Sequence, residues 1–138
     1  MSQTDKVLIE IQKNRIEEAH LFSNFDKYYN IKDNVKASEF IWGSISKIAY
    51  LLGLLFGQKL GKHKDLIAFL RNLARQENRL EIIDWINAAE SLHSNFYHNW
   101  MENEVFVEYI QKVVRLRMWL LEIFERKLEE TYRVRSIS

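Results

Sequence analysis

The chain contains no cysteine and no proline, and its four glycines all fall between Gly43 and Gly61. Without cysteine there is no disulfide framework, no thiolate nucleophile and no cysteine-based zinc site. Without proline, the residue that helix interiors exclude and loops collect is missing, which points to long helices and few loops. An excess of charge of one sign is missing too: 20 Lys and Arg stand against 19 Asp and Glu, a formal net charge of +1. A protein that wraps nucleic acid through its overall charge shows a basic excess, so any such contact here must come from a local patch. Long apolar runs are also absent. The longest, Ile48 to Phe56, falls far short of the roughly 20 residues needed to cross a bilayer. With a polar start, Met1-Ser-Gln-Thr-Asp-Lys, the expectation is a cytoplasmic protein with no signal peptide and no membrane partner.

What remains is a chain of 138 residues, 47% hydrophobic and 28% charged, the size and composition of one globular domain over residues 1–138. Its apolar residues recur at helical spacing. The first segment runs from about Thr4 to about Tyr29, with Leu8, Ile11, Ala19 and Phe22 on one face, Arg15 interrupting it, and Lys13, Glu17 and Glu18 off it. The second keeps the i, i+3, i+4, i+7 pattern through Ile41, Trp42, Ile45, Ile48, Ala49, Leu52, Leu55 and Phe56. Leu51 and Leu54 widen that stripe, so this half reads as the most buried part of the fold. Gly53, Gly57 and Gly61 repeat every four residues; either they smooth a face for close approach, or Gly57 or Gly61 simply ends the helix, the simpler reading.

A shorter segment, about Lys64 to Gln76, turns Leu66, Phe69, Leu70 and Leu73 inward. The fourth, Leu80 to about Met101, carries Ile82, Ile86, Ala89, His93, Phe96 and Trp100 as its core positions, with Asp84, Ser91, Asn95, His98 and Glu102 on a polar stripe. The fifth runs from Asn103 to about Tyr132 through Phe106, Tyr109, Ile110, Val113, Leu116, Leu120, Phe124 and Leu128, and the tail after about residue 131 reads as frayed. No strand alternation appears. The expected fold is an all-α up-and-down bundle of about five helices.

The densest chemistry lies in AESLHSNFYHNW, Ala89 to Trp100, read as one turn-free helical run. His93, in the apolar stripe, reads most simply as a buried neutral histidine with one partner. Three sharper readings compete with that. Glu90-Ser-Leu-His93 and Glu17-Glu-Ala-His20 are Glu-x-x-His pairs of the kind di-iron bundles use, yet of the further inward acids needed only Glu39 stands near a suitable position, and Glu18 and Glu90 are expected to face water. His93 and His98 are a candidate acid–base pair for RNA cleavage, with Asn95 beside them. On a regular helix, however, positions five apart point about 140° from each other, so they meet only if the helix breaks near Asn95 or two chains face each other. Finally, Arg71, Arg75 and Arg79 at i, i+4, i+8, with Lys59, Lys62, His63 and Lys64 before them and Tyr97 on the next helix, form a candidate phosphate-binding surface. Arg126, Lys127, Arg133 and Arg135 make a second basic group, although acids interleave and such runs are ordinary on a solvated face.

DNVKASEFIWGSISKIAYLL (Asp33 to Leu52), a histidine ahead of the next helix (His63), and AAESLHSNFYHNW together resemble the archaeal PaREP-type family, related to HEPN domains. The resemblance covers about Asp33 to Phe124; Leu92 to Tyr97 is its most specific part, followed by Ala37, Ser38, Glu39 and Trp42. It implies a HEPN-like helical bundle, typically a homodimer, in a group where many members are metal-independent ribonucleases with an Arg and a His four to six residues apart. Here His93 stands where that arginine would be, with His98 at the proper interval. Arginine offers a permanent charge and a two-pronged fork for a phosphorane oxygen, whereas a histidine with an ordinary pKa of about 6.5 is mostly neutral at pH 7. The expectation is therefore a dimeric, non-catalytic module for RNA, a nucleotide or a protein partner, with no cofactor. A ribonuclease using His93 and His98 is the alternative, and a helical-bundle metal site comes third.

Overall fold

The computed structural model describes residues 2–137, with side chains through residue 132. Five helices follow one another: α1 Gln3–Asn30, α2 Asn34–Leu55, α3 His63–Gln76, α4 Glu81–His98 and α5 Asn103–Ile137. Among the described residues there is no strand, and the all-α bundle is as the periodicity requires. The backbone of α5 runs on past Tyr132 to Ile137; the side chains of the expected frayed tail, Arg133 and Arg135 among them, lie outside the described residues. Among the described residues no helix is long and apolar enough to cross a membrane.

The helices start and stop for local reasons. Ser2 accepts the amide N–H of Asp5, and Asp33 that of Lys36, capping α1 and α2. Gly57 follows the C-cap of α2 with φ +77°, while its N–H donates to Leu54 O and that of Gln58 to Gly53 O. That is the glycine-terminated double hydrogen bond by which helices commonly end, so the simpler reading of Gly57 holds. Lys32 and Asn78 occupy the same left-handed position after α1 and α3, with the same pair of bonds. Gly53 is different. A Cβ there would lie 2.8 Å from Leu60 Cδ1 and 2.9 Å from the Gln58 carbonyl, so the α2–α3 loop packs against bare backbone.

At the centre lies α2, with α1, α4 and α5 against it and α3 closing its C-terminal end. Ala37, Ile41, Ile45, Ile48, Ala49, Leu51 and Leu52 are all fully buried there, a helix apolar nearly all round because it is surrounded. Each fully buried Ile or Leu contributes roughly 1.5–3 kcal/mol relative to exposure. From the neighbours come Ile11 and Phe25, Leu70 and Leu73, Ile82, Ile86 and Leu92, and Phe106, Leu116 and Phe124.

Two expectations for α1 are corrected. Ala19 is exposed, and Glu18, expected to face water, is completely buried. Arg117 on α5 grips it with Nε 2.9 Å from Oε2 and Nη2 3.1 Å from Oε1. Ser44 Oγ on α2 donates to Oε2 at 2.7 Å and Arg15 Nη1 to Oε1 at 2.6 Å. The Arg117 guanidinium also lies 3.7 Å from the centre of the Phe22 ring. Burying a carboxylate costs several kcal/mol, and four donors on two oxygens offset it. Arg15 thus falls in the apolar stripe because its partner is buried beneath it. Arg117→Met is expected to cost about 3 kcal/mol by leaving this charge short of its main partner, whereas Arg15→Met, at a half-exposed position, costs under about 1 kcal/mol. Urea denaturation of the two variants checks the order, and equal small losses would contradict the account.

Candidate functional site

The core face of α4 is rotated from the expected one. Ile82, Ile86, Ala88, Ala89, Leu92 and Asn95 are buried, which places His93 and Phe96 at the edge of the core and leaves Trp100 exposed. The run from Ala89 to Trp100 is not turn-free, because α4 stops at His98 and Asn99 adopts a left-handed conformation, φ 45°. Asn95, placed on the polar stripe by the sequence pattern, is fully buried instead. Its Nδ2 donates to Ser38 Oγ at 3.3 Å and its Oδ1 accepts the Met101 N–H at 2.9 Å. The side chain pins the α4–α5 connection to α2, a structural task that keeps it from solvent.

Edge placement brings His93 to other rings. Its centroid lies 4.7 Å from that of Trp42 on α2, nearly parallel, and 5.4 Å from that of His63, the first residue of α3. Trp42 and His63 are themselves 5.1 Å apart and tilted by 39°, so three rings from three helices close into one cluster with His93 stacked on both of the others. Tyr97, one turn after His93, meets it edge-on at 5.1 Å and is 65% exposed. His63 Nε2 sits 3.2 Å from Glu90 Oε1, and Arg71 Nη2 donates to Glu90 Oε2 at 3.0 Å and to Asn87 Oδ1 at 2.9 Å. Glu90 does not simply face water: half-buried between an imidazole and a guanidinium, it holds α3 against α4.

The other candidates are dispersed. His98 is exposed at the end of α4, and among the described residues no hydrogen bond or ring contact joins it to His93. Arg75 bonds Asn72 on its own helix, and Arg79 pairs with Glu81. Arg126 pairs with Glu77, and Lys127 sits over the Phe56 ring. Lys59, Lys62 and Lys64 are exposed in the segment that presents His63. Glu17 pairs with Lys47 and His20 is exposed, so the two Glu-x-x-His motifs do not converge. Among the described residues, no group of three or more His, Asp and Glu side chains is placed to hold a metal ion. Beside the rings, a groove of about 330 Å³ opens between α2 and α4 with Leu21 of α1 at its side, lined by Trp42, His93 and Tyr97 together with Glu39, Phe40, Gly43 and Phe96.

Burial lowers the pKa of His93, the neighbouring His63 lowers it further, and Glu90 opposes both. His93 is therefore a neutral imidazole at pH 7, able to accept a proton or to stack.

These features define a helical bundle with a histidine–aromatic cluster at the meeting of three helices. A family model matches residues 14–117, the Archaeal PaREP1/PaREP8 family, and the chain belongs to that family. The matched span contains every member of the cluster as well as Glu18 and Arg117. No curated protein and no solved structure matches the chain.

In the pH range where the unfolded chain still holds the His93 proton and the folded chain has shed it, stability rises with pH. The stabilisation is complete above the ordinary value of about 6.5 and is lost as pH falls through the lowered folded value. Thermal melts between about pH 7.5 and pH 5.5, spanning the ordinary imidazole value, should show the wild type losing stability on acidification. His93→Ala should melt lower at the upper end with a flatter pH dependence, and His98→Ala should follow the wild type. Equal melting shifts in the two variants would contradict the packing role of His93.

Proposed function

We propose that this protein is an RNA-binding module and that the Trp42–His63–His93–Tyr97 cluster is the surface on which single-stranded bases stack. The observation that carries the reading is the three-ring stack at a partly exposed junction, flanked by Tyr97 and presented by a segment bearing Lys59, Lys62 and Lys64. Aromatic and imidazole rings accept unstacked bases, and nearby lysines hold the phosphates between them. A near-neutral protein needs such a local patch, and this one lies beside its rings. Stacking on an aromatic ring contributes about 1–3 kcal/mol per base, so Tyr97→Ala, at an exposed position, is expected to weaken binding of a mixed pool of labelled RNAs about tenfold. Lys62→Glu should weaken it further at low salt and less at high salt.

A specific observation also favours cleavage as a second reading. His63 and His93, from different helices, lie with their rings 5.4 Å apart, and Glu90 orients His63. In that reading His93 removes the proton of a 2′-hydroxyl and protonated His63 donates one to the departing 5′-oxygen. The pair expected on α4 is thereby replaced by one across α3 and α4. Incubation of the same pool with EDTA decides between binding and cleavage. Cleavage abolished by His63→Ala and retained by His98→Ala supports an enzyme; intact RNA in every sample leaves the module.

The HEPN-like relationship and the homodimer implied by the family resemblance belong to the same reading, as does work inside the cell on RNA. Ile9, Ile16 and Met118, each at least half exposed, give α1 and α5 apolar surface for a second copy. Light scattering at micromolar concentration is expected to return twice the chain mass, and a monomer would refute the dimer.

A further inference from the structure

The groove beside the ring stack differs in charge from the loop next to it. No lysine or arginine lines it, and its one charged residue is Glu39. Glu39 is exposed, and no hydrogen bond or ion pair among the described residues engages its carboxylate. Exposed acids elsewhere among the described residues, such as Glu102 and Glu104, are likewise unpaired; what distinguishes Glu39 is its place in a groove walled by aromatic rings. Leu21, Phe40, Trp42, His93, Phe96 and Tyr97 supply the remaining walls, and Gly43 lets α2 pack close to Leu21, whose Cδ2 lies 3.4 Å from where a Cβ would be.

We propose that this groove takes a guanine base of the bound RNA, with the Glu39 carboxylate accepting the N1–H and N2–H groups of its Watson–Crick edge. The inference rests on the reading of the cluster as an RNA-binding surface and adds to it which base is read. A carboxylate has two acceptor oxygens and no donor. Among the four bases, guanine alone offers two adjacent N–H donors on that edge, matching two parallel oxygens as a guanidinium does. Adenine and cytosine present one amino donor beside a ring nitrogen acceptor, and uracil presents one N–H between two carbonyls that repel the carboxylate. The rings hold any base by its faces; Glu39 makes the choice. The lysines around His63 lie outside the groove and attract the backbone whatever the sequence.

The test is fluorescence anisotropy with labelled pentanucleotides carrying guanine, inosine or adenine at the centre of a uridine background, against wild type and Glu39→Gln. One well-formed bidentate contact discriminates by about tenfold or more, so wild type should hold the guanine oligomer about tenfold tighter than the adenine one. Inosine, which lacks the N2 amino group, should fall between. Glu39→Gln should bring the three affinities within about threefold of one another, because the amide offers one acceptor fewer to guanine and a donor to the adenine ring nitrogen. Equal affinities in wild type, or a guanine preference that survives Glu39→Gln, would overturn the assignment and leave an RNA surface without base selection. Failure of every oligomer to bind would overturn the RNA reading itself and this assignment with it.

Discussion

The burial of α2 is the constraint from which the rest follows. Ile41, Ile45, Ile48 and Leu52 are withdrawn from solvent completely, and that is feasible only if other helices cover them on several sides at once. Such a helix leaves little freedom to its neighbours, because close-packed interiors transmit misfit. Trp42 lies half-buried on the flank of this helix, and the cluster forms there because α3 and α4 come together over that flank. Site and core are consequently one piece of packing: the residue before Trp42 is among the most buried in the protein, and Trp42 itself is half-buried.

The ion pair between Glu18 and Arg117 serves the same centre from outside. It joins residues 99 positions apart, and Ser44 brings α2 into the contact. An apolar substitute would bury comparable area, but a two-pronged guanidinium on a carboxylate also fixes direction. Rotation of α1 about its axis would break three hydrogen bonds together, two from Arg117 and one from Ser44. The neighbouring Lys47 bonds to Asn14 and Glu17 repeat the pattern at the rim, where water weakens them.

The bundle was legible from periodicity, because an apolar repeat of 3.6 residues over several turns leaves little alternative. The spacing places α1 and α3 within about one residue at both ends, whereas α4 stops short of the expected Met101, at the left-handed Asn99, and α5 runs on past the expected Tyr132. The buried Glu18 was not legible. A carboxylate flanked by Glu17 and Ala19 carries no local sign that an arginine on the last helix will cover it. The ring cluster is half legible: the sequence marks both His63 and His93, but spacing along one helix pairs His93 with His98, because the register between two helices is written in neither. Rotation of the α4 core face by about one residue exchanged Asn95 for His93 as the buried polar group. One signal could have shown this. A stripe through Ile82, Ile86, Ala89 and Leu92 is more apolar than one that must admit His93 and Trp100.

Gly53 gives the loop its seat. The α2–α3 connection lies on α2 where that helix has no side chain, and the nearest backbone atom of the loop would be 2.9 Å from an added methyl carbon. Three residues past Leu60, the same connection delivers His63 to the stack. The depth of one missing methyl group therefore sets how far an imidazole ten residues away reaches over Trp42, and the smallest side chain in the helix acts as a shim beneath a ring it never touches.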